Sequence, residues 1–179
     1  MDIQQALDSL KNEMSELRDE RKNKLSMVVF SGDLDKLLAA FIIGTGAAAM
    51  GMEVVMFFTF WATPALRDPK KKGKGKDLFG KMFGFMLPKG ASKVTLSKMH
   101  MGGMGTAMMK TLMKKKNVAS LPEMIALAGE LGVRIYICEM SMDLMGFKRE
   151  EMIDVPGRDF VGVAKFLLEA GDSKIQLFI

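Results

Sequence analysis

The sequence has 179 residues, about half of them apolar (49%) and a quarter charged (26%), which is the composition of one globular domain and excludes a disordered chain. One Cys and one His exclude an intrachain disulfide framework, a Cys-cluster metal site and a triad needing several histidines, and a lone thiol suits a reducing compartment. The net charge of +5 conceals a block, Arg67 to Lys116, in which 14 Lys/Arg face only Asp68 and Asp77, a net of +12 on a body of net −7. Such a block attracts small anions, acidic proteins, nucleic acids or anionic membrane surfaces, and the competing reading is a solvated loop with helix faces.

Residues 1–24 read as a separate N-terminal amphipathic helix. Ile3, Leu7, Leu10, Met14 and Leu17 form a heptad seam, and the other faces are polar. About two heptads are too short to hold a dimer alone, so the seam reads as one contact of a homo-oligomer. Asp2, Asp8 and Glu13 interrupt any apolar run of a secretory signal. Arg18 to Lys24 reads as the exit from the helix.

Residues 25–179 read as one α/β domain. Leu25–Phe30 is a short apolar run closed by Ser31-Gly32-Asp33, which predicts a buried strand and a tight turn. Asp33 is the expected N-cap of a helix over 34–50, and Glu53–Phe60 predicts a second strand. The uncharged stretches Leu37–Met52 and Val54–Leu66, split by Glu53, each fall short of the ~20 residues of a spanning helix. Residues 68–77 predict a flexible Lys-rich loop, and Asp77–Leu87 an amphipathic helix with Phe79, Met82, Phe83 and Met86 on a core face. Val94-Thr95-Leu96 reads as a short extra strand. Helices are expected over 106–116 and, capped by Ser120, over 121–131. Val133–Cys138 predicts a third strand, Ser141–Met145 a short helix, Arg158–Ala170 the last helix and Lys174–Ile179 a closing strand. This alternation predicts a flavodoxin-like three-layer sandwich around a mainly parallel sheet.

Open parallel sheets place ligands beyond the carboxyl ends of their strands. Two motifs fall there: Ser31-Gly32-Asp33 after the first strand, and Cys138 ending the third strand ahead of Glu139-Met140-Ser141. A flavodoxin-like strand order puts these two strands on either side of the crevice. Backbone amides at the helix start, Ser141 among them, are expected to favour the thiolate. The competing reading of Cys138 is a small buried hydrophobe. Gly102, Gly103 and Gly105, followed by Thr106, leave amides uncovered ahead of a helix and form a candidate oxyanion cradle within the cationic block. The segment lacks the Gly-Lys-Ser/Thr ending of a P-loop and the full G-x-G-x-x-G spacing. Met99, His100, Met101 and Met104 have Cu(I)-compatible donors, but the 19 Met residues spread along the chain read as soft packing, so no metal is expected.

The combination of Val28–Lys36, Lys81–Gly84 to Pro88–Gly90, Met101–Thr106 and Cys138–Gly146 resembles the DsrE/DsrF/DsrH-like superfamily, most closely its longer, Met-rich DsrE-like branch, often labelled peroxiredoxin-like. The resemblance covers residues 25–179. It implies a flavodoxin-like α/β fold, homo-oligomers and a cytoplasmic role in sulfur trafficking, and no cofactor is expected. A cysteine of such proteins takes up sulfur as a persulfide or thiosulfonate and passes it to rhodanese-like and TusA-like partners, and the carrier position corresponds to Cys138. Some relatives carry a second cysteine, whereas this chain has one and no internal resolving thiol. Small anionic sulfur compounds are the expected ligands of a carrier with a cationic approach.

Two other functions compete with a sulfur carrier. A one-cysteine thiol peroxidase would form a sulfenic acid at Cys138, but no Thr or Arg adjoins it in sequence to activate peroxide. A scaffold would use the Lys block to hold a membrane surface or a partner protein. Nucleic-acid binding is not expected, because the Phe residues of the block recur at helical spacing and read as core.

Overall fold

Short β-branched runs closed by turns provide the strands, and in the computed structural model, which describes residues 3–19 and 22–179, five of them form one sheet. β1 (Lys22–Val29), β2 (Glu53–Phe58), β3 (Arg134–Cys138), β4 (Arg158–Val161) and β5 (Ser173–Phe178) lie in the order β4-β3-β2-β1-β5. Every pair is parallel, with Val28 opposite Phe57, Met56 opposite Ile135 and Cys138 opposite Val161. The fold class is the α/β sandwich expected. The strand order differs from the one used to bring β1 and β3 to a common crevice, because β2 lies between them.

Handedness then decides which helix covers which face. The steps from β1 to β4 all run one way across the sheet, and right-handed crossovers place α2 (Leu34–Ala49) and α5 (Leu121–Glu130) side by side on one face. The return from β4 to β5 runs the other way and places α7 (Val163–Gly171) on the opposite face. Strand alternation follows the same division. Met27, Val29, Met56, Phe58, Ile135 and Ile137 build the large core with α2 and α5, while Val55, Phe57, Tyr136 and Cys138 pack with Phe166 and Ala170 of α7. Fully burying such a side chain contributes roughly 1.5–3 kcal/mol, so the α2/α5 face dominates the stability.

The connection from β2 to β3 holds α3 (Leu78–Met86) and α4 (Met104–Lys115). It leaves β2 through a buried 3-10 turn, Phe60–Leu66, and is fastened to the body by Arg67. The buried Arg67 guanidinium donates to the carbonyls of Gly84 and Pro88 and pairs with the Glu151 carboxylate at 3.3 Å. Lys76 joins the same carboxylate at 2.6 Å. Burial pushes the Glu151 carboxyl up, but the hydrogen bonds and charges of Lys76, Lys148 and Arg67 outweigh it and hold the pKa below its ordinary value.

Several expectations are corrected. The segment expected as one helix from Arg158 is a strand, β4, followed by α7, because Arg158–Val161 finds a free edge of β3 and pairs with it. Val94-Thr95-Leu96 is not a strand: Thr95 accepts from the Leu34 amide at 2.7 Å, and Leu96 donates to the Thr106 hydroxyl. β1 already runs at Lys22, inside the expected exit segment, and part of that segment lies outside the described residues. The N-terminal helix expected over 1–24 is α1 (Ile3–Asp19), on which Ile3, Leu7, Leu10 and Met14 are all exposed. The Leu17 side chain lies outside the described residues. Methionine is divided between core positions such as Met27, Met56 and Met152 and exposed ones such as Met99, Met101 and Met104.

Candidate functional site

Cys138 is delivered by the two-residue period of β3. Arg134, Tyr136 and Cys138 share the face covered by α7, and Ile135 and Ile137 face the main core. The thiol is free of any disulfide and 3% exposed in the single chain. It belongs to a buried cluster with Val55, Phe57, Tyr136, Val161, Phe166 and Ala170, in which the Phe57 and Phe166 rings stack at a centroid distance of 5.0 Å. Phe166 and Ala170 are supplied by α7, which packs on this face of the sheet against β1 and β5.

Cys138 is also the N-cap residue of α6 (Glu139–Leu144), a helix of six residues, and its side chain makes no capping hydrogen bond. Glu139 is ion-paired to Arg149, whose guanidinium also lies 5.1 Å from the centre of the Phe160 ring. The carboxylate next to the thiol is thereby matched with a cation outside the cluster. Ser141 differs from expectation. It is fully buried, its hydroxyl accepts from the Phe60 amide at 3.0 Å, and it shares a 2.8 Å hydrogen bond with Thr59. It ties the end of β2 to α6 and is not open to an anion.

The remaining candidates lie at the carboxyl end of β1, with α2. Gly32 serves a close approach: a Cβ there would sit 2.1 Å from the Trp61 carbonyl oxygen. Asp33 caps α2 through its backbone position and pairs with Lys36 at 3.0 Å. The glycine segment is moored to the first turn of α2, where Asp35 accepts from the Ser97 amide at 2.9 Å and from its hydroxyl at 2.6 Å. Thr106 is buried, accepts from the Leu96 amide and bonds His100 Nδ1 at 3.0 Å. Gly105 leaves room for the Met99 carbonyl, which a Cβ would meet at 1.7 Å. Gly102 and Gly103 have left-handed φ of 63° and 105° and open space around them. The structure therefore does not join this group to Cys138, which lies beyond β2 and points to the other face of the sheet.

A cleft of about 690 Å³ lies between α4 and α5, lined by Leu34, Lys110, Met113, Lys114, Ser120 and Leu121. It is on the α2/α5 side, away from the thiol. Among the described residues no group of three or more His, Cys, Asp or Glu is placed to hold a metal ion.

Sequence reasoning missed the polar network behind Cys138 on the same face. Lys24, 1% exposed, is ion-paired to Glu169 of α7. The same carboxylate receives Arg134 at 2.9 Å, the Tyr136 hydroxyl at 3.0 Å and Lys165 at 3.2 Å. Burial raises the Glu169 pKa, but the hydrogen bonds from Lys24, Lys165 and Tyr136 and the charge of Arg134 prevail and lower it to about 2. Burial and the Glu169 hydrogen bond in turn raise the Tyr136 pKa. The signal was present in the alternation Arg134, Tyr136, Cys138, which places two polar groups and the thiol on one side of a strand.

A family model described as DsrE/DsrF/DrsH-like matches residues 21–178. The chain is 46% identical over 160 residues to the "Uncharacterized protein YrkE" of Bacillus subtilis, covering 89% of this chain and 99% of that protein. It is 38% identical over 162 residues to the "Sulfur carrier protein DsrE2" of Allochromatium vinosum, covering 88% of this chain and 99% of that protein. With a five-stranded parallel sheet and a match that spans nearly all of it, the chain belongs to the DsrE/DsrF/DrsH-like family.

Proposed function

We propose that the chain is a sulfur carrier of intracellular sulfur trafficking that takes sulfane sulfur onto Cys138 and hands it to a partner protein. The observation that carries this reading is the position of the only thiol, at the carboxyl tip of a parallel strand, in a chain that matches a protein named a sulfur carrier over 88% of its length. The step needs no cofactor and no net oxidation. The Cys138 thiolate attacks the outer sulfur of a donor R–S–SH, the donor S–S bond breaks, R–S⁻ departs, and Cys138–S–SH remains. An acceptor thiolate attacks the same outer sulfur, and Cys138 leaves as the thiolate.

Burial sets the condition for this exchange. A thiol 3% exposed reacts only when its cover yields, and the element assigned that role here is α7, which supplies Phe166 to the same buried cluster. In this reading α7 shields the persulfide from small thiols and opens against the acceptor. Rhodanese-like and TusA-like proteins are the proposed donors and acceptors, the cytoplasm the proposed compartment, and a homo-oligomer held partly by α1 the proposed assembly. The exposed seam of Ile3, Leu7, Leu10 and Met14 supports the last point.

The test is mass spectrometry of the full chain after incubation with glutathione persulfide. One added sulfur atom on the Cys138 peptide, absent in Cys138→Ser, is the expected result. No adduct at Cys138, or the same adduct yield in Cys138→Ser, overturns the proposal.

A further inference from the structure

α3 is turned inside out for a helix of a globular domain. Its glycines face the body: Gly80 is buried, and a Cβ there would lie 3.1 Å from the Gly146 Cα, while the Gly84 carbonyl is held by Arg67. Its large apolar side chains face out, with Leu78 78%, Phe79 65%, Met82 44%, Phe85 91% and Met86 68% exposed. At 100° per residue these five occupy an arc of roughly 120°, with Lys81 at its margin and the glycines opposite. The expected core face of Phe79, Met82, Phe83 and Met86 is thereby corrected for Phe79, Met82 and Met86, and Phe85 is exposed as well.

The surroundings of the arc are cationic. Lys70, Lys72 and Lys74 are exposed in the loop that leads into α3. The acid of that approach, Asp77, has its carboxylate committed to the Gly80 amide as the N-cap, at 2.8 Å. An apolar face wetted by water and rimmed by lysine fits a surface that offers hydrocarbon below and negative charge above.

We propose that α3 docks the protein on an anionic bilayer, with the Leu/Phe/Met face in the interfacial layer and the lysines on lipid phosphates. At nine residues α3 is far too short to span, and no helix among the described residues is long and apolar enough to cross a membrane, so the contact is peripheral. A second copy is the poorer occupant, because two α3 faces would bring two blocks of +12 together. An acidic lipid surface neutralises the block and accepts the apolar face in one contact.

The test is co-sedimentation of the full chain with vesicles of equal parts phosphatidylglycerol and phosphatidylcholine, and with phosphatidylcholine alone. The expected result is binding to the anionic vesicles that is at least tenfold tighter than to the neutral ones and weakens as salt is added. The double variant Phe79→Ser/Phe85→Ser and the triple variant Lys70→Gln/Lys72→Gln/Lys74→Gln each bind at least tenfold more weakly with unchanged circular dichroism, since all five positions are exposed. No binding by the unaltered chain, equal binding to both vesicles, or undiminished binding by the double variant overturns the proposal. So does an α3-dependent change of oligomeric mass without vesicle binding, which assigns the face to a second copy. So does α3-dependent binding of polyglutamate as tight as that of vesicles, which assigns it to an acidic protein. Cys138→Ser is expected to bind like the unaltered chain, so failure here is separable from failure of the sulfur-carrier reading.

Discussion

At Cys138 the proposed chemistry depends on side chains that bear no functional group of their own. Phe166 stacks on Phe57 in the buried cluster that also holds the thiol. Replacing Phe166 by Ala is expected to raise the rate of Cys138 alkylation by iodoacetamide at least tenfold, measured by mass spectrometry under native conditions. The same change costs about 3 kcal/mol of stability through the cavity it leaves. An alkylation rate that does not move would mean that the route to the sulfur avoids α7. The position of Cys138 at a strand tip was legible in the sequence, because an apolar run ending at Cys-Glu-Met-Ser marks the boundary itself. Its burial was not, since the cluster that holds it draws Phe57 from β2, Val161 from β4 and Phe166 from α7, which are distant in the chain. Ser141 illustrates the same limit. A serine near a helix start looks available until the turn after β2 places Thr59 and the Phe60 amide on its hydroxyl.

At the scale of elements, pattern was readable where local periodicity and final environment agreed. α2, α5, β1, β2, β3 and β5 follow from apolar runs bounded by capping or turn residues, and the Ser120/Glu123 capping box marks the start of α5. β4 was hidden, because Arg158–Val161 is four residues long and becomes a strand by pairing with the edge of β3, a tertiary fact. α3 was located but turned the wrong way, because its helical spacing identifies a face without saying what meets it. α1 was located and its seam is exposed, as an oligomer contact requires. Removal of residues 3–19 is expected to lower the molecular mass measured by light scattering to that of a smaller assembly while circular dichroism still reports a folded α/β domain. An unchanged number of subunits would show that α1 faces something other than its own kind.

At the scale of the whole molecule, the two faces of the sheet are held by different physics. One is a broad apolar core under α2 and α5; the other is a narrow apolar patch under α7 beside a buried charge cluster centred on Glu169. Glu169 has a folded pKa of about 2 against an ordinary value of 4.5. Because the folded value is the lower, its stabilisation is full above about pH 4.5 and is lost as the pH falls towards 2. Glu169→Gln is expected to cost about 3 kcal/mol at pH 7, since it leaves the buried Lys24 only the Glu53 carboxylate at 4.0 Å, and to flatten the fall of thermal stability across that acid window. Melting curves at a series of pH values check both effects, and a variant that follows the unaltered protein down the same acid slope would remove Glu169 from the account.

The strand order has a further consequence for how the chain reaches this state. β1 is among the first elements in the sequence, yet one of its two edges is closed by β5, and Ser26 meets Ser173 across 147 positions. Until β5 arrives, a row of amides and carbonyls on an otherwise complete half-sheet stands open to any extended peptide. The β1–β5 pairing is the most non-local in the sheet, and loop closure makes such a pairing slow to form. A cell making this protein has to guard that open edge for as long as the intervening chain takes to fold.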